Sequence, residues 1–196
     1  MDVILSPESF ESYECDLLVT GFFEDERPLK GSSGWVDWRF NGTLSRFLIE
    51  KRLTGQWGET TLMPSQGRVS PRMILFLGLG KMREYSYLRI RDLSAYLLKT
   101  LRKLNTSNVC LSLPYGESYN VDCGKLAEVL MEEIADSSDQ ELGRDAWVKN
   151  LRIFLAEGKE RFTELLLGVQ TAKSILEGRF PIRIFAPSEG SQDCAT

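Results

Sequence analysis

The chain has 196 residues, 42% of them hydrophobic and 27% charged, a length and composition that suit one globular domain with a sizeable core. Its 24 Lys and Arg against 28 Asp and Glu leave a net charge of -4, which argues against a general nucleic-acid or anionic-membrane surface as partner. It contains no histidine, so mechanisms that need an imidazole base, relay or metal ligand from this chain are excluded, Ser-His-Asp and Cys-His hydrolysis among them.

In chain order, residues 1–5 are a short apolar strand candidate, and Ser6, Pro7 and Glu8 a helix or turn start with proline at the first position. Residues 16–23 are an almost unbroken apolar run closed by the charged cluster 24–28, as expected of a strand buried on both faces. Lys30, Gly31, Ser32, Ser33 and Gly34 read as a glycine-rich turn. It leads into Trp35, Val36, Asp37 and Trp38 and to a helix over 44–53 with Leu44, Phe47 and Leu48 on its apolar face. A strand is expected around 60–63. Residues 72–81, Arg-Met-Ile-Leu-Phe-Leu-Gly-Leu-Gly-Lys, carry the strongest strand signal and read as a central strand stopping on two glycines.

Residues 86–104 place Leu93, Tyr96, Leu97, Leu101 and Leu104 three and four apart, the spacing of an amphipathic helix. A strand over 108–114 follows. Asp122 then caps a helix whose inward face is Leu126, Val129, Leu130 and Ile134, and 136–145, rich in Ser, Asp and Glu, reads as an exposed loop. A strand at 151–155, a long helix over 158–177 ended by Gly178, and a strand at 180–185 complete the series. Strands and helices alternate, so the fold class is α/β: a three-layer α/β/α sandwich with a mainly parallel or mixed sheet, one domain over 1–187 and a polar tail over 188–196.

Cys15, Cys110, Cys123 and Cys194 are single and widely spaced, with no Cys-x-x-Cys pair, and read as buried or idle thiols. The acidic opening lacks the basic start of a signal peptide, and no run approaches the roughly 20 apolar residues of a membrane span. A cytoplasmic setting with reduced thiols is expected.

The run 16–22 (Asp-Leu-Leu-Val-Thr-Gly-Phe), Asp37 followed by Gly42-Thr43-Leu44-Ser45, then 53–59 (Leu-Thr-Gly-Gln-Trp-Gly-Glu) and 77–81 (Leu-Gly-Leu-Gly-Lys) stand in the order seen in the N-terminal domain of leucyl (cytosol) aminopeptidases. The resemblance covers about residues 15–115 and rests on the order and spacing of all four segments. It implies a macro-domain-like α/β sandwich with a mixed sheet. It does not imply peptidase chemistry, because that family keeps its two metal ions and catalytic lysine and arginine in a C-terminal domain. The signature stretch of that domain is missing, and 196 residues leave no room for it. The expectation is a non-catalytic, stand-alone homologue acting as a binding, regulatory or assembly module, with a separate catalytic subunit or self-association as the protein partnership it allows.

Macro-domain kinship implies a second reading, a binder of ADP-ribose or another nucleotide. Residues 31–37 are similar to the macro-domain loop Gly-Gly-Gly-Val-Asp, departing from it in the bulk of Trp35, and Thr20 stands where the macro-domain strand usually carries asparagine. The candidate ligand-binding residues are therefore Gly31, Ser32, Ser33, Gly34 and Asp37, with Gly78, Gly80 and Lys81 at the second glycine-terminated strand end. No catalytic residue, metal or cofactor is assigned. A hydrolase using Thr20, Ser32, Ser33 or Lys81 is the weakest of the readings. Trp35, Trp38 and Trp57 are expected to pack in the core, and the basic stretch 81–103 and acidic stretch 128–141 to be two solvated helix faces.

Overall fold

The computed structural model describes residues 1–8, 14–141 and 146–187, so the expected tail over 188–196, Cys194 and positions 142–145 lie outside the described residues. Seven strands, β1 (Asp2–Ser6), β2 (Leu17–Phe22), β3 (Thr60–Pro64), β4 (Met73–Gly78), β5 (Asn108–Ser112), β6 (Arg152–Ala156) and β7 (Arg183–Phe185), form one sheet in the order β3-β4-β2-β5-β6-β1-β7. Every neighbouring pair is parallel except β3 against β4, so the sheet is mixed, as expected. Between the strands run α1 (Gly31–Arg39), α2 (Thr43–Ile49), α3 (Tyr87–Lys103), α4 (Cys123–Glu141), α5 (Ala146–Lys149) and α6 (Lys159–Ile175).

Successive strand residues point to opposite faces, and this sorts the core into two clusters. Val3, Leu17, Val19, Leu75, Leu77, Val109 and Ile153 meet the apolar faces of α3, α4 and α6. Leu18, Phe22, Ile74, Phe76 and Cys110 meet Val36 of α1 and Leu44 of α2. The result is the three-layer α/β/α sandwich of a macro-domain-like fold. Helices α4 and α6 approach closely at glycines: a Cβ on Gly168 would overlap the Gly124 carbonyl, and Glu164 of α6 accepts the Cys123 N–H at 2.8 Å. That contact sets where α6 begins, and α6 begins at the site described below.

Several local expectations change. Residues 31–34 are not a turn but the first turn of α1. Residues 136–141 continue α4 rather than forming a loop, because Ala135 and Ser138 are buried and hold the helix against its neighbours. The strand over 72–81 is β4, paired on both sides but next to the edge, with β2 and β5 nearer the middle. The helix over 44–53 ends at Ile49. Ser86 caps α3 by accepting the Arg89 N–H, and Asp122 caps α4 as expected, accepting the Lys125 N–H at 2.8 Å.

The basic and acidic stretches meet rather than face solvent separately: Arg91 of α3 bridges Glu132 at 3.3 Å and Glu133 at 3.5 Å on α4. Cys15, Cys110 and Cys123 are buried. Trp35 packs against the α1/α2 cluster and Trp57 against the main core, but Trp38 is 70% exposed. No helix among the described residues is long and apolar enough to cross a membrane.

Candidate functional site

The carboxyl ends of β2, β5 and β6 open on a cavity of about 500 Å³. Gly21 near the end of β2, Lys30, Gly31 and Ser32 at the start of α1, Ser112 to Tyr115 from the last residue of β5 onward, and Ala156 to Gly158 from the last residue of β6 to the start of α6 form its walls, with Glu8 and Tyr119. Parallel strands deliver their carboxyl ends to one edge and the following helices start there, which is why α/β sheets hold ligands at that edge. Two helix amino ends, those of α1 and α6, reach this cavity.

The α1 end is built from small residues. Lys30 is its N-cap in extended backbone and, among the described residues, no side-chain cap is made to the first turn, which leaves its leading N–H groups to solvent or a ligand. Gly31 takes φ +56°, a conformation that glycine reaches without a Cβ penalty. The Ser32 hydroxyl donates to the Ser112 carbonyl at 3.3 Å and shares a 2.6 Å hydrogen bond with the fully buried Thr20 hydroxyl. These bonds fasten the start of α1 to β2 and β5. Neither partner is a base, so they hold the helix in place without activating a nucleophile.

Aromatic side chains complete the wall. Tyr119 stacks on Phe23 with centroids 5.3 Å apart, and Phe23 meets Tyr85 edge-on at 5.1 Å. The Tyr119 hydroxyl donates to Glu26 at 2.9 Å, and Glu26 in turn pairs with Lys30 at 3.3 Å. Burial, with the Glu26 carboxylate beside it, pushes the Tyr119 phenol up to about 12, so it stays a neutral donor. Tyr115 donates to Glu157, with the Arg161 guanidinium 5.4 Å from its ring. Burial raises the Glu157 carboxyl above its ordinary range, and burial together with Glu157 raises Tyr115. The cavity has Lys30, paired with Glu26, and the leading amides of α1 at one end and the Glu157 carboxylate at the other, with Glu8 also in its lining.

The eight candidate residues divide. Gly31 and Ser32 line the cavity. Ser33 is buried beneath them and donates to the Lys30 carbonyl at 2.9 Å, and a Cβ on Gly34 would overlap the Leu29 carbonyl. Asp37 faces away: its carboxylate caps α2, accepting the N–H groups of Leu44 at 2.7 Å and Ser45 at 3.1 Å and the Ser45 hydroxyl at 2.5 Å. Gly78 and Gly80 bind the turn over 55–59. Gly78 donates to the Glu59 carbonyl at 2.7 Å and Gly80 to the Gly55 carbonyl at 2.8 Å, while Lys81 is exposed beyond them. None of Asp37, Gly78, Gly80 and Lys81 lines the cavity.

Tyr115, Tyr119, Glu157 and Gly158 were not singled out in the sequence. The available signal was positional, since Leu113-Pro114-Tyr115-Gly116 and Glu157-Gly158 each follow a buried parallel strand. Among the described residues no group of three or more Cys, Asp or Glu side chains could hold a metal ion. A second, more open cavity of about 310 Å³ lies between Trp38, Arg39, Asn41 and Arg68.

Residues 19–140 match the N-terminal domain of the cytosol aminopeptidase family. A probable cytosol aminopeptidase of Cyanothece sp. is 28% identical over 114 residues, 58% of this chain and 23% of that protein. One of Pseudomonas syringae pv. tomato is 27% identical over 132 residues, 67% of this chain and 26% of that protein. The chain thus spans about a quarter of the length of the curated relatives it matches. Among solved structures, a mutant tomato leucine aminopeptidase superposes with a TM-score of 0.61 at 16% identity, covering 91% of this chain and 37% of that one. A Trypanosoma brucei macrodomain in complex with ADP-ribose gives 0.63 at 14% identity, covering 88% of this chain and 68% of that one. At such identities the likeness is one of fold.

Proposed function

The chain belongs to the cytosol aminopeptidase family, through that family's N-terminal domain, and from this premise we propose that it is a non-catalytic binding module whose ligand is a nucleotide of the ADP-ribose kind. The observation that carries the reading is the cavity at the carboxyl ends of β2, β5 and β6. Its α1 end offers uncapped amides and Lys30 to a phosphate, and Tyr119 offers an aromatic face to a base. The macrodomain from Trypanosoma brucei that shares this fold holds ADP-ribose. Peptide-bond hydrolysis is not assigned to this chain, and the setting stays cytoplasmic, as for the cytosol aminopeptidases it resembles.

Titration calorimetry with ADP-ribose, ADP and AMP tests the reading. Saturable heats that weaken when Ser32→Trp fills the cavity are expected. Silence from all three at millimolar concentration would remove it.

A second reading, an assembly module that meets a protein partner such as a separate catalytic subunit or another copy of itself, is favoured by a different face. There Trp38 and Ile49 are 70% and 81% exposed, and the guanidiniums of Arg39 and Arg68 border the second cavity. Sedimentation of the purified chain, alone and with a full-length aminopeptidase of the family, would show a Trp38-dependent complex if this face is used.

A further inference from the structure

The α6 end of the cavity carries a feature that a phosphate site does not need. Glu157 is held in place by its own N–H, which donates to the Ser6 carbonyl at 3.0 Å, and by Tyr115, whose hydroxyl donates to Oε2. The Gly158 N–H also bonds this carboxylate, and with Tyr115 it meets only part of the carboxylate's acceptor capacity among the described residues. Arg161, whose charge reaches this carboxyl, pairs instead with Glu164 at 3.9 Å and sits over the Tyr115 ring. A partly desolvated carboxylate with acceptor capacity to spare calls for a donor.

Tyr115 adds a second acceptor. A phenol that donates its proton keeps its oxygen lone pairs, so the Tyr115 oxygen and the Glu157 carboxylate are neighbouring acceptors on residues of the cavity wall, linked through one hydrogen bond. Two neighbouring acceptors match two neighbouring hydroxyl donors.

We propose that Glu157 and Tyr115 form a receptor for a vicinal diol, so that the cavity selects a ribonucleotide, with its sugar at the α6 end and its phosphate at the α1 end. This rests on the nucleotide reading above and deepens it. The Glu157 carboxylate disfavours a phosphate at its end, while the leading amides of α1 and Lys30, which is shared with Glu26, favour it at the other, and this orients the ligand.

The test is calorimetry of the full chain with ADP, 2′-deoxy-ADP and 3′-deoxy-ADP, repeated on Glu157→Ala and Tyr115→Phe, with thermal melting to confirm that both variants fold. The wild type should bind ADP about tenfold or more tightly than either deoxy form. Both variants should lose most of that preference, Glu157→Ala the more, by weakening ADP while leaving the deoxy forms within about twofold. Equal binding of all three by the wild type overturns the diol receptor and leaves the nucleotide reading standing, as does a preference that survives in Glu157→Ala. Binding of none by the wild type removes both.

Discussion

The two glycine-rich segments, 30–34 and 78–81, both follow strands of the same sheet and resemble each other in composition, yet they end in different surroundings. Gly31 has nothing within 4 Å of where a Cβ would stand, and the chain beside it opens on the cavity. At Gly78 a Cβ would overlap the Gln56 carbonyl, and Gly80 takes φ +71° with its N–H bound to Gly55. One segment is bare so that something outside the fold can approach; the other is bare so that the chain's own 55–59 turn can. Glycine announces a close approach and is silent about what approaches.

Substitutions sharpen that contrast. Gly78→Ala should be the most damaging, costing about 3 kcal/mol or more by overpacking against backbone that has no room to retreat, and thermal melting would register it as a fall of roughly 6–12 °C. A wild-type melting temperature in that variant would break the comparison. Asp37→Ala, which strips α2 of its cap, should cost about 1–3 kcal/mol in chemical denaturation and leave nucleotide affinity unchanged, because the carboxylate faces away from the cavity. Lys30→Met should reverse that pattern, leaving stability near wild type and weakening ADP binding about tenfold.

The cavity also carries a pH effect. Glu157 has its carboxyl raised in the folded state by burial, so its contribution to stability is full below the ordinary glutamate range and is lost as pH rises through the folded value. Glu157→Gln should flatten the decline in stability from mildly acid to neutral pH, measured by denaturant titration at several pH values. Lys81→Ala should change neither melting temperature nor ADP affinity, since its side chain is exposed and off the cavity. Loss of ADP binding in that variant would return the second glycine segment to the site.

Much of the architecture was legible in the sequence because its signals are local. The runs at 16–23 and 72–81 are apolar throughout, as strands covered on both faces must be, and α3 shows its buried face in the spacing of Leu93, Leu97 and Leu101. Where local and tertiary forces compete, the reading failed. Residues 136–141 look like a polar loop but remain helical because α4 is carried along by its packing, and 31–34 look like a turn but start a helix.

The site divides the same way. Gly31 and Ser32 could be singled out from composition beside a buried strand, and the family could be recognised from four ordered segments. Tyr115 and Glu157 could not, being 42 residues apart and joined by a hydrogen bond. What brings them together is the strand order, which sets β6 beside β5 and closes α6 onto α4 through Gly124 and Gly168. By itself the sequence determined the alternation of strands and helices, the family and one wall of the cavity, because those depend on periodicities and turns within a few residues. Which strand ends share an edge, and so which carboxylate faces Lys30 and Gly31, was decided only by the tertiary structure, because pairing between distant strands is chosen by the packing of both faces of the sheet at once.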